Sequence, residues 1–404
     1  MKKILTIAVL GGLFAASTLQ AQVNIYIAGS TAFRANVFRA VSAAFDGGAP
    51  TTKVPSNAGT GTGIYTLQGT MTPLYGSQTV TVYASFNGSV QGLEDLLNNT
   101  SITFSNLNGS VLSTVPTITF SDVDKVSTLA ASAPVTETHV AILPFVYCRN
   151  YFTPTTVTNI TGHQLSSLWP NGVLKLSFFT GNTNDDTGVM YVTGRNADSG
   201  SRVCGQSDAG FTGAPVFYGF NTTAPNTWAV MNQNLSPAIY GFGYSSGGNE
   251  AIALTNQLAG GPCVGYLGLN DALTVAGDAS TGSGAKNNGG GNCSIIAYDG
   301  FLPFNGYSIS TSGAPTQVPA QPDFTPIIKG QYSLWSYECM EMLNTHTSDS
   351  TYQYYTNMVS GIDNDILQSE VNNGNNSTYG PVTAIRLSEM KVSRSSVGGA
   401  ITPN

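Results

Sequence analysis

The stretch GRNADSGSR, residues 194–202, sets Arg195 four positions ahead of Ser199, Gly200 and Ser201, in a chain where 15 of 404 residues are Lys or Arg. Arginine offers a rigid fork of N–H donors, serines add hydroxyl donors, and glycine lets backbone N–H groups approach closely, so the group reads as a receptor for an oxyanion. Taken alone, that loop is equally a solvated turn. Three further turns carry related chemistry. Ser30 and Thr31 follow VNIYIAG, Ser89 closes FNGS after TVTVYAS, and TVPTITFSD ends on Ser121 and Asp122. Each singly reads as a helix cap or a strand end. As a set they mean more: several helix N-termini, with free N–H groups and a positive dipole end, converging with one arginine would bind an anion without a cluster of cations.

A competing chemistry comes from GYSSG, residues 243–247, which matches the Gly-x-Ser-x-Gly elbow of serine hydrolases, with Ser245 as nucleophile and Asp271 and His346 following in hydrolase order. Such pentapeptides arise by chance in a chain with 46 glycines, so the expectation is a protein that is not an enzyme. The three histidines are scattered, which argues against a metal centre, and no cofactor is expected. His139 heads an apolar strand, His163 lies in a capped helix, and Trp169, Trp228 and Trp335 read as core residues.

The elements that would position these turns alternate. VNIYIAG (23–29) reads as a strand and STAFRANVFRAVSAAF (30–45) as a helix behind a Ser/Thr cap. TVTVYAS, FNGS and VQGLEDLL repeat strand, turn and helix, and TVPTITFSD is a third strand. HVAILPFVYCRN (139–150) is a long apolar run suited to a buried or crossover strand. VTNITGHQLSSLW follows as a capped helix, KLSFF and GVMYVTG as strands, AIYGFGYSSGGNEAIALTNQL as strand, Gly-rich turn and helix, and CVGYLGLNDAL as a further strand. Residues 277–293 are too polar and Gly/Asn-rich to pack and read as a loop. YSLWSYECMEML and the helix-like TYQYYTNMVSGIDNDIL come next, with a mobile tail expected from about Ser393. The alternation implies an α/β fold with a mainly parallel sheet, whose ligand crevice lies beyond the strand carboxyl ends, where the turns fall. It argues against a surface or adhesive protein of repeated β-strands, the reading that the uncharged Gly/Thr/Asn-rich composition would otherwise suggest.

MKKILTIAVLGGLFAASTLQAQ has the form of a cleavable secretory signal, with Leu19, Gln20 and Ala21 as the cleavage site. No later run is apolar enough to span a bilayer, so a periplasmic or secreted protein without stable membrane insertion is expected. The remaining length suits two domains. Charged residues make up 9% of the chain and the net charge is −7, which argues against nucleic acid as a partner. Cys148, Cys204, Cys263, Cys293 and Cys339 are too widely spaced for a zinc pattern; in an oxidising compartment one or two disulfides are expected, with one thiol left over.

In order along the chain, IAGSTAFRANVF, ASFNGSVQG, TFSDVDK and RNADSGS resemble the ligand loops of the phosphate-binding proteins of ABC importers, which belong to the two-lobed, type II periplasmic binding proteins. The resemblance continues through VTNITGHQLSSLW, GGNEAIALTNQL, CVGYLGLNDAL and YSLWSYE. It implies two Rossmann-like lobes joined by hinge strands, one from 23–138 plus 295–404 and the other from 139–294, closing on inorganic phosphate or a close oxyanion. Its site would be Ser30, Thr31 and the N–H of Ala32, then Ser89, Asp122, Arg195, Ser199, Gly200 and Ser201. Asp122 would accept the proton that phosphate carries at neutral pH, which sulfate lacks. The implied partner is an ABC importer permease, and the protein itself a monomer. Where relatives hold an Asp two places after the arginine, this chain has Ala197, with Asp198 one place later; the segments 46–64 and 277–293 have no counterpart.

Overall fold

The computed structural model describes residues 22–128, 132–220, 227–231, 239–240, 242–255, 260–273, 275, 293–307, 321–371 and 382–404. The expected signal segment, 1–21, and nearly all of the loop at 277–293 lie outside these residues.

The fold is mixed α/β around an eleven-stranded sheet. In chain order its strands are β1 (Val23–Gly29), β2 (Thr52–Val54), β3 (Ile64–Thr70), β4 (Thr79–Ser85), β5 (Ile118–Ser121), β6 (Val135–Arg149), β7 (Val173–Lys175), β8 (Val189–Val192), β9 (Cys263–Gly268), β10 (Ser294–Ile295) and β11 (Trp335–Leu343). They lie in the order β7-β8-β9-β6-β11-β5-β1-β4-β3-β2, with β10 also paired to β6. The main helices are α1 (Arg34–Ala44), α2 (Ser89–Leu97), α3 (Gly162–Leu168), α4 (Gly200–Asp208), α5 (Gly247–Thr255), α6 (Leu269–Leu273) and α7 (Ser350–Val371).

The expected parallel character holds only in part. β4–β1–β5 and β8–β9 are parallel, whereas β6, β11 and the edge strands β2, β3 and β7 pair antiparallel. The reason lies in two segments. The long apolar strand β6 runs through the centre of the sheet, and β11 inserts antiparallel between it and β5. The segment 46–64 supplies β2, which extends the far edge by pairing with β3. Buried on both faces, β6 from Val140 onward and β9 read as continuous apolar runs rather than alternating ones.

Helices also pack on one another through buried polar contacts. On α1, Arg39 donates from Nε and Nη2 to both oxygens of Asp365 on α7 at 2.9 and 3.1 Å, and Asn36 adds a bond at 3.1 Å. A buried bidentate pair of this kind costs about 3–5 kcal/mol when one partner is removed.

Three further expectations are corrected. KLSFF is not a strand: after Lys175, residues Ser177–Thr180 form a short helix, with Leu176 and Phe179, three apart, turned inward while Phe178 is exposed. All five cysteines are buried and free, against the one or two disulfides expected, although Cys148 and Cys293 lie side by side within hydrogen-bond reach. The thiols of Cys204, Cys263 and Cys339 point to backbone carbonyls of Asp122, Val264 and Tyr337 rather than to one another. The C-terminal tail is ordered. Its residues Val392–Ser393 and Thr402–Pro403 pair, and Arg394 lies 4.0 Å over the Trp335 ring while bonding the Ser333 carbonyl at 2.6 Å. Among the described residues, no helix is long and apolar enough to cross a membrane.

Candidate functional site

The turns singled out in the sequence meet at the carboxyl ends of β1, β4, β5 and β8. Strand β1 ends at Gly29 with φ +112°, where a Cβ would fall 1.9 Å from the Phe120 carbonyl oxygen; only glycine lets β1 run this close to β5 before turning. Ser30 is fixed directly after it. Its N–H donates to that same carbonyl at 2.7 Å, its hydroxyl donates to Asp122, and its Oγ accepts from the Phe33 N–H at 3.0 Å. The helix proper starts later than expected, with Phe33 in the N-cap position and no side-chain cap of its own. This leaves Thr31 and Ala32 in a turn whose N–H groups bond no described residue.

Ser89 is the first residue of α2 rather than its cap, which is Gly88, and the helix has no capping side chain. Helix α4 likewise starts uncapped: Ser199 holds the N-cap position, but its hydroxyl bonds Ser201 at 2.7 Å instead of a backbone N–H. These two helix starts touch. The Val90 N–H donates to the Asp198 carbonyl at 3.1 Å, and a Cβ on Gly200 would lie 2.8 Å from Cβ of both Asp122 and Ser89. No side chain larger than hydrogen fits at that crossing.

Arg195 completes the ring. Its Nε donates to the Tyr244 carbonyl at 3.0 Å, and its Nη2 donates to the Ser245 carbonyl at 3.0 Å and to Thr31 Oγ1 at 3.5 Å. Its Nη1 donates to no described residue. The orienting acid expected after the arginine is absent: Asp198 turns to Asn196 at 3.0 Å. The guanidinium is held instead by the carbonyls of the GYSSG turn, with the carboxyls of Glu250, buried behind it, and Asp271 nearby. Burial pulls the guanidinium down from its ordinary value and these acids push it back up.

Ser30, Thr31, Ala32, Ser89, Asp122, Arg195, Ser199, Gly200 and Ser201 are all buried and brought together. Burial pushes the Asp122 carboxyl up, while the Ser30 and Ser89 hydroxyls and Arg195 hold it down. The arrangement therefore offers hydroxyl, amide and guanidinium donors and one carboxylate acceptor, the equipment to enclose a small tetrahedral anion.

The hydrolase constellation is not assembled. The Ser245 hydroxyl accepts from Asn249 at 3.2 Å, His346 pairs with Asp349 at 2.7 Å, and Asp271 faces Arg34 at 3.4 Å. The Gly-x-Ser-x-Gly turn serves to hold Arg195.

Sequence reasoning missed Arg34, Glu250 and Glu338. Arg34 is buried, donates to the Thr31 carbonyl and bridges to Asp271 beyond β9, so it fixes the first turn against the chain that follows β9. Its signal was present as a cation in the first turn of α1, where the helix dipole disfavours it. Glu250 accepts the Tyr266 N–H at 3.0 Å, and burial pushes its carboxyl up to about 8. Nothing in the local sequence of Glu338, inside an apolar strand, distinguishes it.

No family model and no curated protein matches the chain. Among solved structures it is similar to a Clostridium perfringens chain with bound phosphate, described as a phosphate ABC transporter substrate-binding protein, at 13% identity over 90% of this chain and 99% of that one, with a TM-score of 0.49. It is similar to an ABC-type phosphate transport receptor from Vibrio cholerae at 13% identity over 85% and 98% of the two chains, TM-score 0.41. It is also similar to OxyR from Pseudomonas aeruginosa at 9% identity over 86% and 71%, TM-score 0.38. Likenesses this distant do not name a ligand, which has to be argued from the site.

Proposed function

We propose that this protein is an exported solute-binding protein that captures inorganic phosphate, or a close oxyanion, and hands it to an ABC-type importer without making or breaking a bond. The observation that carries this reading is the meeting of Arg195, with an uncommitted Nη1, and three helix starts that no N-cap side chain satisfies, around the carboxyl of Asp122. Helix starts and guanidinium supply attraction; the carboxylate supplies selection. An anion that carries a proton can donate it to Asp122, whereas sulfate would set its lone pairs against the carboxylate.

In this reading the lobes are residues 23–138 plus 295–404 and residues 139–294, the first about 21 residues are a signal removed near Ala21, and the mature protein acts as a monomer. The bonds from Val90 to Asp198, from Arg195 to Thr31 and from Arg34 to Asp271 are then closure contacts, made when the lobes meet and broken to release the anion.

Calorimetric titration with phosphate and sulfate tests it. Wild type should bind phosphate and prefer it to sulfate by at least about 100-fold, since a buried polar group left unpaired costs about 1–3 kcal/mol and more when it is charged. Asp122→Asn should lose most of that preference. A wild-type protein that binds neither anion, or both equally, would overturn the proposal.

A further inference from the structure

Strand β11 buries two glutamates, Glu338 and Glu341, on opposite faces of the sheet, and none of their four carboxyl oxygens accepts a hydrogen bond from a donor among the described residues. Glu338 is the one that adjoins the anion site. The register of β11 against β5 pairs Cys339 with Ser121 and Met340 with Phe120, which sets Glu338 across from Asp122, the residue that follows β5. Their carboxyls face each other in a region where Glu338 is 0% and Asp122 2% exposed.

Two carboxylates this close and this dry cannot both be ionised; one proton stays with the pair. The donors around the pair decide where it resides. Asp122 has the Ser30 and Ser89 hydroxyls and the Arg195 guanidinium on its side. Glu338 has no cation; its charged neighbours are Asp122 and, along its own strand, Glu341. Cys204 on α4 spends its thiol on the Asp122 carbonyl. Every stabilising contact thus favours the charge on Asp122 and the proton on Glu338.

We infer that Glu338 is a positioning residue for the anion site: it keeps the shared proton and with that O–H donates a hydrogen bond to Asp122 from behind, keeping Asp122 an acceptor toward a ligand that brings a proton of its own. Were Asp122 the protonated partner, it would present an O–H donor to the cleft and the distinction between phosphate and sulfate would vanish. The inference rests on the phosphate reading for its consequence, while the place of the proton stands independently.

Two measurements test it. Infrared difference spectra of the ligand-free protein at neutral pH should show the carbonyl band of a neutral carboxylic acid in wild type minus Glu338→Gln and not in wild type minus Asp122→Asn; the reverse assignment overturns the inference. Titrations with phosphate and sulfate should show Glu338→Gln, which still donates, within about threefold of the wild-type preference, and binding to a higher pH because it has no proton to lose. Glu338→Leu, which cannot donate, should lose at least tenfold of the preference. Equal behaviour of the Gln and Leu variants overturns the role in selection. Should wild type bind no phosphate while the spectra behave as stated, the functional reading falls and the proton assignment stands.

Discussion

Helices α3 and α4 start from similar residues and use them differently. At the start of α3, Thr161 Oγ1 accepts the Gln164 N–H at 3.1 Å and Gln164 Oε1 accepts the Thr161 N–H at 3.0 Å, a complete capping box. At the start of α4, Ser199 has the right residue type and an extended backbone, yet its hydroxyl turns to Ser201. The α2 start also lacks a capping side chain, its Val90 N–H going to the Asp198 carbonyl, whereas α5, which follows the turn that holds Arg195, is capped by Ser246, whose Oγ accepts the Asn249 N–H at 3.2 Å. A cap is worth about 1 kcal/mol, and forgoing it at buried helix ends leaves N–H groups in need of an acceptor. In the proposed function, the pattern separates helix starts that stabilise the fold from those kept available for a ligand.

The comparison can be broken most sharply at Arg195. Arg195→Ala removes two or more charge-assisted bonds to the anion, each worth about 1.5–3 kcal/mol, so phosphate affinity by calorimetry should fall at least about 100-fold; a near-unchanged affinity would place the anion elsewhere. Next comes Gly200→Val. Its side chain would collide with Asp122 and Ser89 across the closed site, so affinity should drop about tenfold or more, while the open form, and hence the melting temperature without ligand, should change little. A crossed pair then sharpens the contrast: Thr161→Ala should cost about 1 kcal/mol of stability and leave phosphate affinity alone, whereas Ser89→Ala should weaken phosphate about three- to tenfold with little change in stability. Reversal of that pair would mean that the bare helix starts are not reserved for a ligand.

A separate effect, read on stability rather than on affinity, concerns pH. In the folded protein Glu250 keeps its proton up to about pH 8, against about 4.5 in the unfolded chain. Between those values the folded state binds more protons, so this residue makes stability fall as pH rises from about 4.5 to about 8, with no further loss above. Glu250→Gln should flatten the stability profile in that window, measured by denaturant unfolding across pH.

What the sequence made legible was whatever depends on short stretches: strand–turn–helix alternation, the small polar residues at strand ends, and the 194–202 loop with its scarce arginine. Ser30, Ser89, Asp122 and Arg195 could be singled out because each follows a recognisable strand. The remainder depends on pairings that local pattern does not encode. That β11 enters antiparallel between β5 and β6 cannot be read from YSLWSYECMEML, and without that register Glu338 is only a carboxyl in an apolar strand. The GYSSG turn was misleading for a related reason: what it contributes to the site is backbone carbonyls, which leave no mark in residue type. The missing acid at Ala197 was visible, but its replacement by Tyr244 and Ser245 carbonyls was not.

The place of β11 also bears on how the chain comes to fold. Strand β5, from the first third of the polypeptide, has β11 as one of its two neighbours, and β6 is flanked by β11 over most of its length. As the nascent polypeptide emerges from the ribosome, both strands wait with an open edge until residues 335–343 arrive, so compact structure is delayed until most of the chain has been made. For a polypeptide that must be threaded unfolded through a translocation pore, as the proposed export requires, that delay is an advantage; its cost is a long interval in which exposed strand edges call for chaperone protection.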